Sequence, residues 1–209
     1  MEIISNFAVF EGCDGSGTST QLALLKERLT DAGKPVFYSA FEPTGGPVGR
    51  LIRTALKKEI ALKPETLAML FAADRNEHLY GHGGIIERAG RGELAVSDRY
   101  VFSSLAYQSI ECGDELPRML NSIFPAPEVL LFFDIDPEIA LKRINKRPSL
   151  EIFEYLEYQV KVREKYLSLL GTYRNEGVRV EVIDASKSEE EVAAQVWSEI
   201  AKMPIIKDK

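Results

Sequence analysis

Apolar residues fall along this chain in two rhythms. Short continuous runs at 7–10, 36–40, 93–97, 129–134 and 178–183 are rich in Val, Ile, Leu and Phe. Such runs suit strands covered on both faces, because neither side of the strand can then be polar. Between them the apolar spacing lengthens to three and four, the period of a helix with one buried face. Leu22, Leu24, Leu25 and Leu29 mark one such helix, with Ala32-Gly33 as its stop signal. A single long helix is predicted over 63–90, with Leu67, Leu70, Phe71, Asp74 and His78 near one stripe. Another over 151–174 carries Phe153, Leu156, Val160, Leu167 and Leu170 at spacings of three, four and seven. Strands alternating with helices predict an α/β fold, a five-stranded parallel sheet with helices on both faces. Its ligands belong at the carboxyl ends of the strands.

Each predicted strand ends in suggestive chemistry: a Gly-rich stretch after the first, then Phe41-Glu42-Pro43, Asp98-Arg99, Asp134 and Asp184. In the first of these, Phe10 to Thr20, Gly12 and Gly17 hold the glycine places of the phosphate-loop pattern G-x-x-x-x-G-K-[ST] and Ser19 its hydroxyl place. Thr18 stands where the lysine belongs. Glycines let successive N–H groups curl around phosphate oxygens, while the lysine adds a positive charge. This chain keeps the cradle and drops the cation. The order strand, Gly-rich turn, helix points helix N–H groups and the positive dipole end at an anion.

Composition narrows the class. At 209 residues the chain accommodates one α/β domain over 1–209 and is short for two. Apolar residues make up 45% and charged residues 28%, as in soluble globular proteins, and no apolar run approaches the ~20 residues of a membrane span. Two cysteines, Cys13 and Cys112, form no disulfide framework or metal cluster, so a reducing, cytoplasmic setting is expected. A net charge of -6 argues against non-specific nucleic-acid binding but leaves nucleotides open, since those need only a local basic pocket. No membrane partner is expected.

Longer blocks extend the picture. Phe10-Glu11-Gly12-Cys13-Asp14-Gly15-Ser16-Gly17, Leu70-Phe71-Ala72-Ala73-Asp74-Arg75 and Asp184-Ala185-Ser186-Lys187-Ser188 resemble segments of the thymidylate kinase family of P-loop nucleoside monophosphate kinases. Glu42-Pro43-Thr44-Gly45-Gly46-Pro47-Val48-Gly49 resembles its E-P-G-G-T segment. The most specific block is Asp98-Arg99-Tyr100-Val101-Phe102-Ser103-Ser104-Leu105-Ala106-Tyr107-Gln108, similar to D-R-Y-x-x-S-S-x-A-Y-Q. The resemblance implies transfer of the γ-phosphoryl of ATP to dTMP with Mg²⁺, a short lid near 143–154, and a homodimer. It also implies an ATP site at Gly12, Asp14, Gly15, Ser16, Gly17, Thr18, Ser19 and Thr20, with Arg143 and Lys187 at the adenine and Arg147 among the catalytic lid arginines.

Physical roles stand beside that resemblance. Phe71 and Arg75 lie four apart on one helix face, a flat apolar ring plus a planar donor, which suits a pyrimidine. Taken alone, Phe71 reads equally as core. Arg99 would grip the acceptor phosphate, and Asp98 with Ser19 would order Mg²⁺, the bland alternative being a surface ion pair. By resemblance, Ser104, Tyr107 and Gln108 contact base or sugar, and Tyr107 excludes a ribose 2′-OH. Asp14 resembles the acceptor of the sugar 3′-OH, though its chemistry equally fits a turn or helix cap. Arg143, Lys146 and Arg147 equally fit a solvated face. No role is expected for His78 or His82.

The chain departs from the family in cations. Thr18 replaces the loop lysine, Phe41 an arginine of T-R-E-P, and Glu151-Ile152 the Asp-Arg of the lid. Three readings follow: a working dTMP kinase with another cation in place, a nucleotide-binding relative acting as sensor or partner, and a kinase for another acceptor such as dUMP.

Overall fold

A computed structural model of the chain describes residues 2–31, 36–144 and 152–207, with 31 and 152–155 described by backbone alone. Five strands, β1 (Ile3–Gly12), β2 (Phe37–Phe41), β3 (Leu94–Asp98), β4 (Ala126–Asp134) and β5 (Arg179–Asp184), form one sheet in the order β2-β3-β1-β4-β5. Every pairing is parallel. The central strand shows why its sequence reads as a continuous apolar run. Phe7 and Val9 pack into one buried cluster and Ala8 and Phe10 into the other, on opposite faces of the sheet. The first cluster includes Tyr100, Phe132 and Tyr166; the second includes Leu22, Leu25, Leu131 and Val196.

The helical elements are α1 (Thr18–Asp31), α2 (Pro47–Leu56), α3 (Pro64–Tyr80), α4 (Ile85–Gly90), α5 (Val101–Ser103), α6 (Ser109–Cys112), α7 (Glu115–Asn121), α8 (Pro137–Ile144), α9 (Ile152–Asn175), α10 (Glu189–Ile200) and α11 (Pro204–Lys207). A π-helical turn, Ser104–Gln108, joins α5 to α6. Such one-turn widenings inside α-helices recur at functional sites.

Two sequence expectations are corrected. The single helix over 63–90 is two, α3 and α4, broken at Gly81-His82-Gly83-Gly84, where Gly83 takes φ 69° in the region that favours glycine. The buried stripe of α9 is also rotated. Val160 and Leu167 are exposed, while Gln159, Val162, Tyr166, Leu170 and Tyr173 face inward at spacings of three and four. Of the predicted stripe Leu170 is buried as expected and Leu156 half-buried, but polar Gln159 and two tyrosines share the inner face, which apolar spacing alone does not mark. The expected lid at 143–154, with Lys146, Arg147 and Glu151, falls mostly outside the described residues.

Candidate active site

The loop between β1 and α1 lies at the carboxyl end of the central strand, and the ends of β3 and β4 flank it. Gly15 takes φ 83°, and a Cβ there would lie 2.4 Å from the Ala140 carbonyl, so the close approach of α8 requires glycine. Thr18 opens α1, and it is buried.

Two clefts open on either side of this loop. The smaller, about 520 Å³, is lined by Gly15, Ser16, Gly17, Thr20, Arg143 and Lys187 among others. Arg143 is held there by donating to the Ala185 carbonyl at 2.9 Å. Gln21 also lines it, and its Nε2 donates to the Glu189 carbonyl at 3.0 Å, which ties α1 to the first turn of α10. The larger cleft, about 850 Å³, takes Asp14, Ser19, Phe71, Asp98, Arg99, Tyr107 and Gln108 into its walls.

Strand β3 delivers the central groups of the larger cleft. Asp98 accepts from the Ser19 hydroxyl across to α1. Arg99 follows at φ 75°, an uncommon backbone state for a side chain of its size, with its N–H bonded to the Phe10 carbonyl at 2.9 Å. Its guanidinium donates to Asp14 Oδ1 at 2.5 Å and to Ser103 Oγ at 3.3 Å, and lies 5.3 Å from the Tyr107 ring centre. Burial pushes the Tyr107 phenol up, against the pull of Arg99, so the hydroxyl is neutral.

Below this layer is Glu11, fully buried, which accepts from the Tyr100 and Ser103 backbone N–H groups and from the Ser103 and Tyr166 hydroxyls. Burial pushes its carboxyl up to about 7 despite those donors and nearby Arg99. Burial likewise pushes the Cys13 thiol up to about 12, so it is no thiolate nucleophile. Arg75 lines the cleft but is 1% exposed, bonded to Glu42, Asn121, the Tyr100 carbonyl and Ser104.

Side-chain polar atoms without a partner are rare in folded interiors unless a ligand or water completes them. Among the described residues five are buried and unpartnered: Ser16 Oγ, Gln21 Oε1, Asp98 Oδ1, Tyr107 Oη and Gln108 Oε1. All five belong to residues lining the two clefts. That concentration marks a site built for polar ligands on both sides of the loop.

The fold agrees with what the chain matches. A family model described as thymidylate kinase covers residues 10–196. The chain belongs to the thymidylate kinase family. Two relatives that bear that name are similar along most of their length. One, from Treponema pallidum (strain Nichols), is 43% identical over 191 residues, 91% of each chain. The other, from Pyrobaculum aerophilum, is 42% identical over 191 residues, 91% of this chain and 93% of its own.

The structure brings most of the residues expected from the family motifs together and separates a few. Asp14 and Ser19 face the larger cleft, while Gly15, Ser16, Gly17 and Thr20 face the smaller one. Gly12 and Thr18 line neither. The Gly12 carbonyl instead accepts from Arg99 at 3.3 Å. Ser104 is buried behind Arg75 and off the cleft wall, its hydroxyl accepting from the guanidinium at 3.1 Å. Arg147 lies outside the described residues.

Several wall and support residues went unread in the sequence. Arg53 of α2 lines the larger cleft, its guanidinium 5.4 Å from the Phe41 ring centre, so a cation stands beside the position where the family arginine is replaced. His78, assigned no role, is buried with Nδ1 3.1 Å from Glu42 Oε1, while Glu42 Oε2 pairs with Arg75 at 2.7 Å. Tyr158 and Gln159 of α9 line the cleft as well. Gln159 carried no signal in the sequence, because its inward position is set by packing that the apolar spacing of α9 does not mark.

Proposed function

We propose that the protein transfers the γ-phosphoryl group of ATP to dTMP, giving dTDP and ADP. The observation that carries this reading is that, among the described residues, the five with an unpartnered buried polar atom all line two clefts that meet at one phosphate-type loop. The smaller cleft takes ATP, its phosphates on the N–H groups of the loop and of the start of α1, its base beside Arg143 and Lys187. The larger cleft takes dTMP. Phe71 stacks on the thymine, Arg75 and Gln108 meet its polar edge, and Tyr107 stands against the 2′ side of the sugar. Asp14 accepts from the 3′-OH, and Arg99 and Arg53 face the acceptor phosphate.

The residues present fit Mg²⁺. Asp98 keeps one buried oxygen unpartnered beside the Ser19 hydroxyl, and these two would hold the ion or its water shell, since Mg²⁺ takes hard oxygen ligands, few from protein and the rest from phosphates and water. When bound, it neutralises phosphate charge. An acceptor phosphate oxygen attacks the γ-phosphorus as the bond to the ADP oxygen breaks, so catalysis is alignment plus positive charge. In this chain Arg99 faces the acceptor side of that path while paired with Asp14, Thr18 leaves the lysine's place neutral, and Arg147 is assigned as a further cation.

A coupled ADP-release assay across dTMP, dUMP, ribothymidine monophosphate, dCMP, dGMP and AMP tests the reading. Turnover is expected with dTMP foremost, and weak turnover with the ribose form. Binding of ATP and dTMP without turnover would identify a sensor; preference for dUMP would move the acceptor. The reading includes a homodimer, checked by light scattering.

A further inference from the structure

Gln159 is 1% exposed, yet it lines the larger cleft. Its amide makes two bonds to one residue. Nε2 donates to Asp14 Oδ2 at 3.1 Å, and Oε1 accepts from the Asp14 backbone N–H at 3.4 Å. Its carbonyl also accepts from Cys13 Sγ at 3.8 Å. Meanwhile Arg99 takes the other carboxylate oxygen, Oδ1, at 2.5 Å. A carboxylate held at one oxygen can still turn about that contact. Held at both oxygens, with its own N–H clamped by the second partner, it keeps one plane. Only a side chain carrying donor and acceptor together can make this pair of bonds, and Gln does so at a helix position that otherwise faces an apolar cluster.

We infer that Gln159 is a positioning residue for the acceptor sugar: it fixes the plane of Asp14 so that the carboxylate meets the 3′-hydroxyl of the bound deoxynucleotide. This rests on the proposed dTMP kinase reading, in which Asp14 receives that hydroxyl. The consequence is specific. Gln159 matters to an acceptor in proportion to its 3′-OH, whereas a residue that only braces the loop would matter equally to every acceptor and to ATP.

The test compares dTMP with 3′-deoxythymidine monophosphate in the wild type and in Gln159→Met, which keeps length and loses both bonds. Expected are a KM for dTMP raised about tenfold with kcat within about threefold, the pattern of lost uniform binding. The KM for the 3′-deoxy acceptor and for ATP should change less than about twofold. The preference of the wild type for the 3′-hydroxylated acceptor therefore collapses in the variant. An equal rise on both acceptors, an equal rise for ATP, or no rise for dTMP overturns the inference. Should Gln159→Met not fold, Gln159→Glu carries the same comparison, since it keeps the acceptor for the Asp14 N–H and sets a carboxylate against Oδ2. Should the wild type bind dTMP without turning it over, the dTMP-to-3′-deoxy affinity ratio by calorimetry decides the matter. A wild type that neither binds nor phosphorylates dTMP defeats the functional reading, and this inference with it.

Discussion

Glu11 is a carboxyl with four hydrogen-bond donors around it and no solvent, and the two influences oppose each other. Donors favour the ionised form, burial the neutral one, and burial wins, moving the group from 4.5 to about 7. A carboxyl raised by folding binds more protons in the native state than in the unfolded chain between those two values. Its contribution is thus fully present below 4.5 and lost as pH rises to about 7. The size is about 3 kcal/mol, to order of magnitude. Urea denaturation of wild type and Glu11→Gln at pH 4.5, 6 and 7.5 should show the wild type losing stability relative to the variant across that range. A difference that stays flat, or grows in favour of the wild type, refutes the neutral carboxyl.

At this scale the sequence was readable where one side chain has one job. Phe71, Asp98, Arg99 and Tyr107 reach the cleft wall as their motifs imply. Gln159 and Arg53 were not readable, because their meaning comes from which loop their helix packs against.

Among elements, α10 is the clearest case of local chemistry setting a boundary. Ser188 Oγ accepts from the Glu191 N–H at 3.3 Å and Glu191 Oε2 from the Ser188 N–H at 3.0 Å, a reciprocal capping box. Ser188 also lines the smaller cleft next to Lys187. Ser188→Ala should cost about 1 kcal/mol of stability, lowering Tm by roughly 3 °C for a chain of this size. It should also weaken ATP more than dTMP, since the frayed turn borders only the smaller cleft. Calorimetry on the variant with both nucleotides checks the two effects together, and equal weakening of both ligands would refute the local account. The inner strands β1, β3 and β4 were legible because their apolar runs are buried on both faces; the edge strands β2 and β5 are covered less than that reading expects, with Phe41 and Val182 exposed. The division of α3 from α4 was missed because apolar spacing continues past Gly81 while the backbone does not. The π turn at Ser104–Gln108 was invisible too. The extra residue in that turn sets Ser104 behind Arg75 and Tyr107 and Gln108 on the wall, which a spacing of three and one cannot reveal.

For the whole molecule, the decisive fact is that two clefts meet at a loop that carries no lysine. Among the described residues the cations on the walls are Arg53, Arg75 and Arg99 on one side and Arg143 and Lys187 on the other. Arg75 is committed to Glu42 and Arg99 to Asp14. Thr18 between them is neutral. Two phosphate chains brought together there repel each other unless something else supplies positive charge. Each nucleotide alone, at about 100 times its Kd, should stabilise by about 2.7 kcal/mol and raise Tm by roughly 5–10 °C. With a non-hydrolysable ATP analogue and dTMP together, independent clefts would give the sum. The expectation here is a joint shift short of the sum without Mg²⁺ and close to it with Mg²⁺, read by thermal melts at fixed ionic strength. Thr18→Lys should then restore additivity in the absence of the ion. If the wild type is already additive without Mg²⁺, the fixed arginines neutralise both phosphate chains unaided and the lysine's place needs no substitute; if one nucleotide cancels the other's shift, the two clefts are one site.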